Sequence, residues 1–243
     1  MQNNTINLSV ILPAFNEENY IEECILKLQA QLNTLNISYE IIVVDDGSVD
    51  CTKQKADQHV SEQIMVMSFP NNRGKGQAIK TGMMSATGAY RLFMDVDLST
   101  SLNEIEKFFL AIQKDGNDVV IGTRKKEPYL LKSRQPFTRR FCGRVFTILS
   151  RFFTQTEFSD FTCGFKMFSQ KAAEIIFSRQ RVQGWAFDSE LMLIAAKHNL
   201  QICELSVEWS NNKDSKVRLL KDIVSSVLGL IAMRINAWRG IYV

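Results

Sequence analysis

Histidine and cysteine are scarce in this chain of 243 residues. Only His59 and His198 carry imidazoles, too few for a histidine-rich metal site. The five cysteines, Cys24, Cys51, Cys142, Cys163 and Cys203, are odd in number and contain no Cys-x-x-Cys pair. Neither a disulfide framework nor a zinc knuckle is therefore indicated, and a reducing compartment fits best. Long apolar runs are also missing: the most apolar carboxyl-terminal stretch, Ile223 to Met233, has 11 uncharged residues. At about 1.5 Å per residue it covers roughly half of a ~30 Å hydrocarbon core and cannot span a bilayer alone. Residues 1–7 are polar and uncharged and run straight into a strand, so neither a signal peptide nor an amino-terminal anchor is expected. No Gly-x-Gly-x-x-Gly follows the first strand, and Arg73-Gly74-Lys75-Gly76-Gln77 lacks the Lys-Ser/Thr ending of a phosphate loop, which disfavours dinucleotide and P-loop readings. Internal repeats and low-complexity tracts are absent.

What is present is an ordinary globular composition, 45% hydrophobic, in a length that suits one large domain. Strand-like runs over 8–12, 40–45, 64–68, 90–95 and 118–122 alternate with helix-like runs over 18–35, 50–59, 74–86 and 103–114. That alternation predicts an α/β fold with a mostly parallel, Rossmann-like sheet and flanking helices. Ser48 or Asp50, and Ser101 or Asn103, are the expected amino-terminal caps. The expected parts are a nucleotide-binding half over 1–122, an acceptor half over 123–215, and an amphipathic carboxyl-terminal helix over 216–243.

Three strands end in polar groups that belong at one rim of the sheet: Pro13-Ala14-Phe15-Asn16-Glu17, Asp45-Asp46-Gly47-Ser48 and Asp95-Val96-Asp97. Asp95 and Asp97 bring two hard carboxylates to a strand's carboxyl end, where a divalent cation can bridge protein and diphosphate. The alternative for so short a pattern is a solvated turn. Asp45 or Asp46 can accept hydrogen bonds from a nucleoside's base and ribose. A strand-ending turn with a core aromatic is the competing reading of Pro13 and Phe15, and a surface helix start that of Lys75.

Past Gly122 the charge changes character. Between Arg124 and Arg151 nine basic residues face the single acid Glu127, a balance of +8 in a chain whose total is +3, which indicates an anionic partner. A helix from Phe137 would gather Phe141, Val145, Ile148, Leu149 and Phe152 on one face, bordered by Arg140, Arg144 and Arg151. An apolar face edged by arginines has the composition of a segment lying in a membrane interface; the alternative is a helix docked on the sheet with a solvated basic flank. Near an anionic leaflet each basic residue contributes about 1 kcal/mol. A last helix, Val217 to Trp238, could pack beside it.

These motifs, with Asn72-Arg73-Gly74-Lys75-Gly76, Gly122-Thr123-Arg124, Cys163-Gly164-Phe165-Lys166 and Trp185-Ala186-Phe187-Asp188-Ser189-Glu190 in the same order, resemble glycosyltransferase family 2. Within it the chain is most similar to dolichyl-phosphate glucosyltransferases and dolichyl-phosphate mannose synthases, over about its whole length. The resemblance implies a GT-A-type nucleotide-diphospho-sugar transferase fold, a nucleotide-diphosphate sugar donor, Mg²⁺ or Mn²⁺, and inverting transfer to a polyprenyl phosphate. Pro13, Ala14, Phe15, Glu17, Asp45, Asp46, Lys75, Asp95, Val96 and Asp97 would then line the donor site, with Asp95 and Asp97 on the metal. The resemblance points first to Asp97 as the metal ligand, with ribose as the alternative partner of Asp95.

Arg124 resembles the arginine that grips phosphate, and Arg140 an acceptor-phosphate arginine, with Arg139 and Arg144 as neighbouring candidates. Asp188 stands near the acceptor. A polyprenyl phosphate is already ionised at pH 7, so Asp188 would orient groups or offset oxocarbenium charge, whereas a hydroxyl acceptor would need it as a base. Glu190, on a different helix face, could anchor the adjoining loop.

UDP-glucose is the first donor expected, from Trp185 to Glu190 and Val207-Glu208-Trp209; GDP-mannose and UDP-N-acetylhexosamines are open. Asp214 stands in the late loop where the family commonly has glycine, and neither an amino-terminal membrane helix nor carboxyl-terminal spans are seen. The resemblance thus suggests a peripheral enzyme on the cytoplasmic face of an anionic membrane, with nucleic acid not among its partners. A soluble glycan acceptor and a non-enzymatic membrane scaffold are the competing readings; a scaffold has no physical need for a cation site.

Overall fold

The computed structural model describes the backbone of residues 6–127, 137–210 and 219–243, with side chains over 6–127, 140–210 and 225–243. The Arg139 side chain, the run around Asp214 and the expected helix start at Val217 lie outside the described residues. Strands β1 (Leu8–Ala14) and β2 (Tyr39–Asp45) alternate side chains between two cores. Val10, Leu12, Ile41 and Val43 enter one; Ile11, Ile42 and Val44 enter the other. Burial on both faces is what near-continuous apolar runs require of a parallel sheet.

Beside them lie β3 (Ile64–Ser68), β4 (Tyr90–Met94), β5 (Val119–Thr123), β6 (Phe165–Ser169) and β7 (Ile202–Ser206), in the order β3-β2-β1-β4-β6-β5-β7. All pairings are parallel except those of β6, which runs antiparallel to β4 and β5. Helices α1 (Ile21–Thr34), α2 (Thr52–Asp57) and α4 (Glu104–Lys114) supply one face. Helices α3 (Lys75–Ser85), α6 (Gln170–Arg179) and α7 (Phe187–Lys197) supply the other, with α5 (Phe137–Thr154) and α8 (Leu219–Trp238) outside them.

The five expected strands and four expected helices form with ends shifted by a few residues, while β6, α6 and β7 have no counterpart among the expected elements and α7 has only the helix face assigned to Glu190. In β6 a lysine interrupts the apolar run Phe165-Lys166-Met167-Phe168, which hides the strand. α7 is buried nearly all round, so it lacks the amphipathic period that identifies a helix. The expected caps are only partly realised. Asp50 accepts from Thr52 N at 3.0 Å, but Asn103 has helical backbone angles and makes no side-chain cap bond. Ser48 accepts from Asn16 N instead, and Ser101 offers its backbone carbonyl to Glu104 N.

The chain moves outward from β1 to β2 and β3, then returns to place β4 on the other side of β1. The carboxyl ends of β1 and β4 thus flank a topological switch point, where open α/β sheets form their ligand crevice.

Candidate active site

β1 and β2 end flush, with Ala14 opposite Asp45, so their following loops meet. Asn16, at φ +54°, turns the chain; its amide donates to Ser48 Oγ at 2.8 Å and its Oδ1 accepts from Val49 N at 2.9 Å. Glu17 N donates to Thr52 Oγ1 at 2.7 Å, latching the loops again. Phe15 is exposed at this rim, not a core aromatic; Pro13 is half-buried and Ala14 buried.

Asp45 is buried and accepts from Ser48 N at 3.2 Å and Ser68 Oγ at 2.8 Å. Asp46, also buried, accepts from Asn72 Nδ2 at 2.9 Å, Arg73 N at 2.7 Å and Gly74 N at 2.9 Å. Both carboxylates therefore serve the loops around them, and Asp46 in particular clasps the turn that delivers Lys75 to the start of α3. Burial raises the Asp46 carboxyl, against the pull of those two amides. Gly47 makes the clasp possible: it sits at φ +72°, and a Cβ there would stand 2.5 Å from the Asn71 carbonyl carbon.

Asp95 follows β4. Its amide donates to the Gly164 carbonyl at 3.1 Å and its Oδ1 pairs with Lys75 Nζ at 2.5 Å. Lys75 is thus no free surface helix start. Burial would lower its pKa, but the charges of Asp95 and Asp188 raise it further. Gly164 gives the carboxylate its room, because a Cβ there would stand 2.1 Å from Asp95 Oδ2. The Val96 side chain is buried in the core, which leaves only its backbone for the rim. Leu98, at φ +52°, turns the chain after Asp97. Asp97 accepts from Ser99 N at 3.0 Å and Ser99 Oγ at 2.8 Å, and burial followed by the charge of Asp95 raises its pKa.

Across the crevice, Asp188 opens α7 and is buried against Lys166 of β6, with Nζ 2.5 Å from Oδ1. Burial raises the Asp188 carboxyl, and Lys166 and Lys75 oppose it. Arg124, just past β5, forms a two-pronged bond with the fully buried Asp160: Nε to Oδ2 at 2.7 Å and a terminal nitrogen to Oδ1 at 2.9 Å. The guanidinium also lies 5.6 Å from the centroid of the Trp209 ring. Lys166, Asp160, Trp209 and Gly164 received no role from sequence reasoning. The motif Cys163-Gly164-Phe165-Lys166 holds two of them, and a lysine inside an apolar run was the available signal.

Arg140 and Arg144 are exposed on α5 among exposed Phe141, Val145, Ile148 and Phe152, and no hydrogen bond or ion pair among the described residues links them to the strand-end acids. α8 packs on α5 and exposes Leu228, Ile231, Ile235 and Trp238. The opposite face of α5 meets α7, where Ser150 Oγ and Ser189 Oγ are 2.8 Å apart beside Asp188. Among the described residues no helix is long and apolar enough to cross a membrane.

No group of three or more His, Cys, Asp or Glu among the described residues could hold a metal by itself. The Asp95 and Asp97 pair nevertheless suits a hard cation: the charge of Asp95 raises the Asp97 carboxyl and a cation would offset it, Gly164 lets the Asp95 carboxylate sit where a Cβ would collide, and substrate phosphate oxygens would complete the shell.

The sequence model described as Glycosyl transferase family 2 matches residues 9–177. A dolichyl-phosphate beta-glucosyltransferase of Drosophila melanogaster is 34% identical over 229 residues, 88% of this chain and 70% of that one. Its namesake in Saccharomyces cerevisiae is 30% identical over 98% of this chain and 77% of its own length. Among solved structures, glucosyl-3-phosphoglycerate synthase from Mycobacterium tuberculosis with Mn²⁺ and UDP-glucose superposes with TM-score 0.69, at 19% identity, over 94% of this chain and 79% of that one. The same enzyme with Mg²⁺ and UDP gives TM-score 0.68 at 19% identity over the same shares. With the family model, the superposition and the strand-end acids in agreement, the chain belongs to glycosyltransferase family 2 and is a glycosyltransferase of GT-A fold.

Proposed function

We propose that this enzyme moves a hexose, glucose by preference, from a nucleoside diphosphate sugar to a polyprenyl phosphate, inverting the anomeric carbon. The activity named for its relatives supports the acceptor class, and UDP-glucose is the donor favoured over GDP-mannose. The observation that carries the reading is the crowding of Asp95 and Asp97 at the switch point, with Lys75 beside them.

Phe15, Pro13, Ala14 and Glu17 line the base and ribose side of the crevice, with Asp45 and Asp46 shaping its floor through the loops they hold. Asp97 and Asp95 would hold Mg²⁺ or Mn²⁺, which when bound would offset negative charge on the diphosphate. Lys75 and Arg124 add fixed positive charge there, and fixed charge needs no reorganisation as the leaving group departs. Asp188, kept next to Lys166, faces the sugar as an orienting carboxylate; the acceptor phosphate is itself the nucleophile. Arg140 and Arg144, with Arg139, receive that phosphate as the exposed faces of α5 and α8 lie on an anionic membrane surface.

The test is transfer of labelled hexose from UDP-glucose to a polyprenyl phosphate in Mn²⁺, followed by solvent extraction. Wild type yields lipid-borne label, and Asp97→Asn loses at least about a hundredfold of it. No extractable label from UDP-glucose, GDP-mannose or a UDP-N-acetylhexosamine refutes the proposal. If Asp188→Asn abolishes turnover while Arg140→Ala leaves it intact, a glycan hydroxyl is the acceptor instead.

A further inference from the structure

Glu190 lies two residues beyond Asp188 in α7 and is fully buried. A buried carboxylate needs donors on its oxygens, and this one has three. Arg181 N donates to Oε1 at 3.0 Å and Oε2 at 3.1 Å, Val182 N donates to Oε2 at 2.8 Å, and the Tyr242 hydroxyl donates to Oε1. Tyr242 is also fully buried; its carbonyl lies 2.9 Å from His198 Nε2, and Asn236 of α8 donates to its hydroxyl at 3.3 Å.

The loop that Glu190 holds is itself pressed on the start of α3. Gly76 N donates to the Gln183 carbonyl at 2.9 Å, and Gln180 Nε2 returns a bond to the Gly76 carbonyl at 2.9 Å. Lys80 Nζ donates to the Gln180 carbonyl at 2.8 Å. The approach is close enough that a Cβ on Gly74 or Gly76 would stand 2.7 Å or 2.8 Å from the Gln183 oxygen. At the loop's far end the Trp185 ring lies beneath the Lys75 ammonium, 6.0 Å from its centroid. A continuous set of contacts therefore runs from Tyr242 through Glu190 and residues 180–185 to Lys75, and Lys75 holds Asp95.

Resting on the donor site of the proposed function, we infer that Tyr242 and Glu190 are positioning residues for that site. The phenol orders the carboxylate, the carboxylate orders the Arg181 and Val182 amides, and that loop sets Lys75 and Trp185 against the diphosphate of the nucleotide sugar. Neither residue touches substrate. Tyr242→Phe keeps the ring and removes only the hydroxyl, leaving Glu190 with its two amides and Asn236 without that acceptor.

The experiment compares wild type with Tyr242→Phe in UDP titrations with Mn²⁺ and in initial rates, with hydrogen exchange followed at Gly76, Arg181 and Val182. Loss of one hydrogen bond to a buried carboxylate should weaken UDP binding and raise the donor KM about tenfold. The polyprenyl phosphate KM should stay within about twofold, and exchange at the three amides should accelerate. Unchanged UDP affinity and exchange overturn the inference. So do donor and acceptor KM values that rise together with a fall in Tm, because that is a general loosening. If wild type binds no UDP, the donor-site reading fails, and faster exchange at Gly76 in Tyr242→Phe still supports the mechanical link while unchanged exchange overturns it. Should Tyr242→Phe not fold, His198→Ala removes only the ring holding the Tyr242 carbonyl and is read by the same measurements.

Discussion

The Lys166 ammonium and the Asp188 carboxylate form a buried pair at 2.5 Å, one residue from the middle of the sheet and the other from the first turn of α7. The same ammonium donates to the Cys163 carbonyl at 2.6 Å and lies 5.3 Å from the Phe93 ring centroid. Removing one charge strands the other in a low-dielectric interior, so Lys166→Met should cost about 3–5 kcal/mol of stability in urea denaturation. Lys166→Met with Asp188→Leu should regain much of that loss, yet transfer no sugar. A double variant no more stable than the single would show that the pair is not where the cost arises.

Gly164 and Asp95 offer a sharper probe of the site. A methyl group on residue 164 would be driven into the Asp95 carboxylate, which must then leave its place beside Lys75. Gly164→Ala should lower turnover at least about tenfold while costing only about 1–3 kcal/mol in stability. Full activity in this variant would mean that the Asp95 position does not matter for transfer.

Acid stability should follow Asp160. Burial would raise its carboxyl, but the Arg124 guanidinium outweighs that and holds it well below the usual carboxylate range. Between the ordinary value near 3.9 and the depressed one, the unfolded chain binds a proton that the folded chain does not. The stabilisation is thus fully present above about pH 5 and is lost as pH falls through the folded value. Urea midpoints of wild type should fall more steeply below about pH 4 than those of Asp160→Asn, which already lacks the pair at pH 7. Parallel curves would contradict this.

The exposed ridge on α5 and α8 makes a separate prediction. Phe152 and Trp238 are each 77% exposed, and burying such a ring in lipid contributes about 1.5–3 kcal/mol. Flotation with vesicles containing anionic lipid should weaken about tenfold or more in Phe152→Glu. It should also weaken with salt, and in Arg140→Gln with Arg144→Gln, because surface charges are screened. Binding indifferent to all three changes would assign the ridge to something other than a membrane.

Much of this was legible along the chain, because local rules govern it. Apolar runs of alternating period marked β1 to β5 and α1 to α4, and acids after such runs marked one rim of a parallel sheet. Phe15, Lys75, Asp95 and Asp97 do gather there. The antiparallel β6 was not legible, since its signal is broken by a lysine whose charge partner is an aspartate 22 residues later. Roles blurred in the same way: Asp46 and Asp45 stand at strand ends as expected, but which atoms they bond depends on loops far along the chain.

Amino-acid order by itself determined the strand-and-helix alternation, the acids at strand ends, the basic stretch and the family, because each is a property of neighbours in sequence. Only the tertiary structure decided that Lys75 meets Asp95, that Lys166 meets Asp188, that Arg124 is committed to Asp160, and that Tyr242 reaches Glu190. Those contacts join residues 20 to 52 positions apart, and burial makes each charge seek a partner that spacing along the chain does not specify.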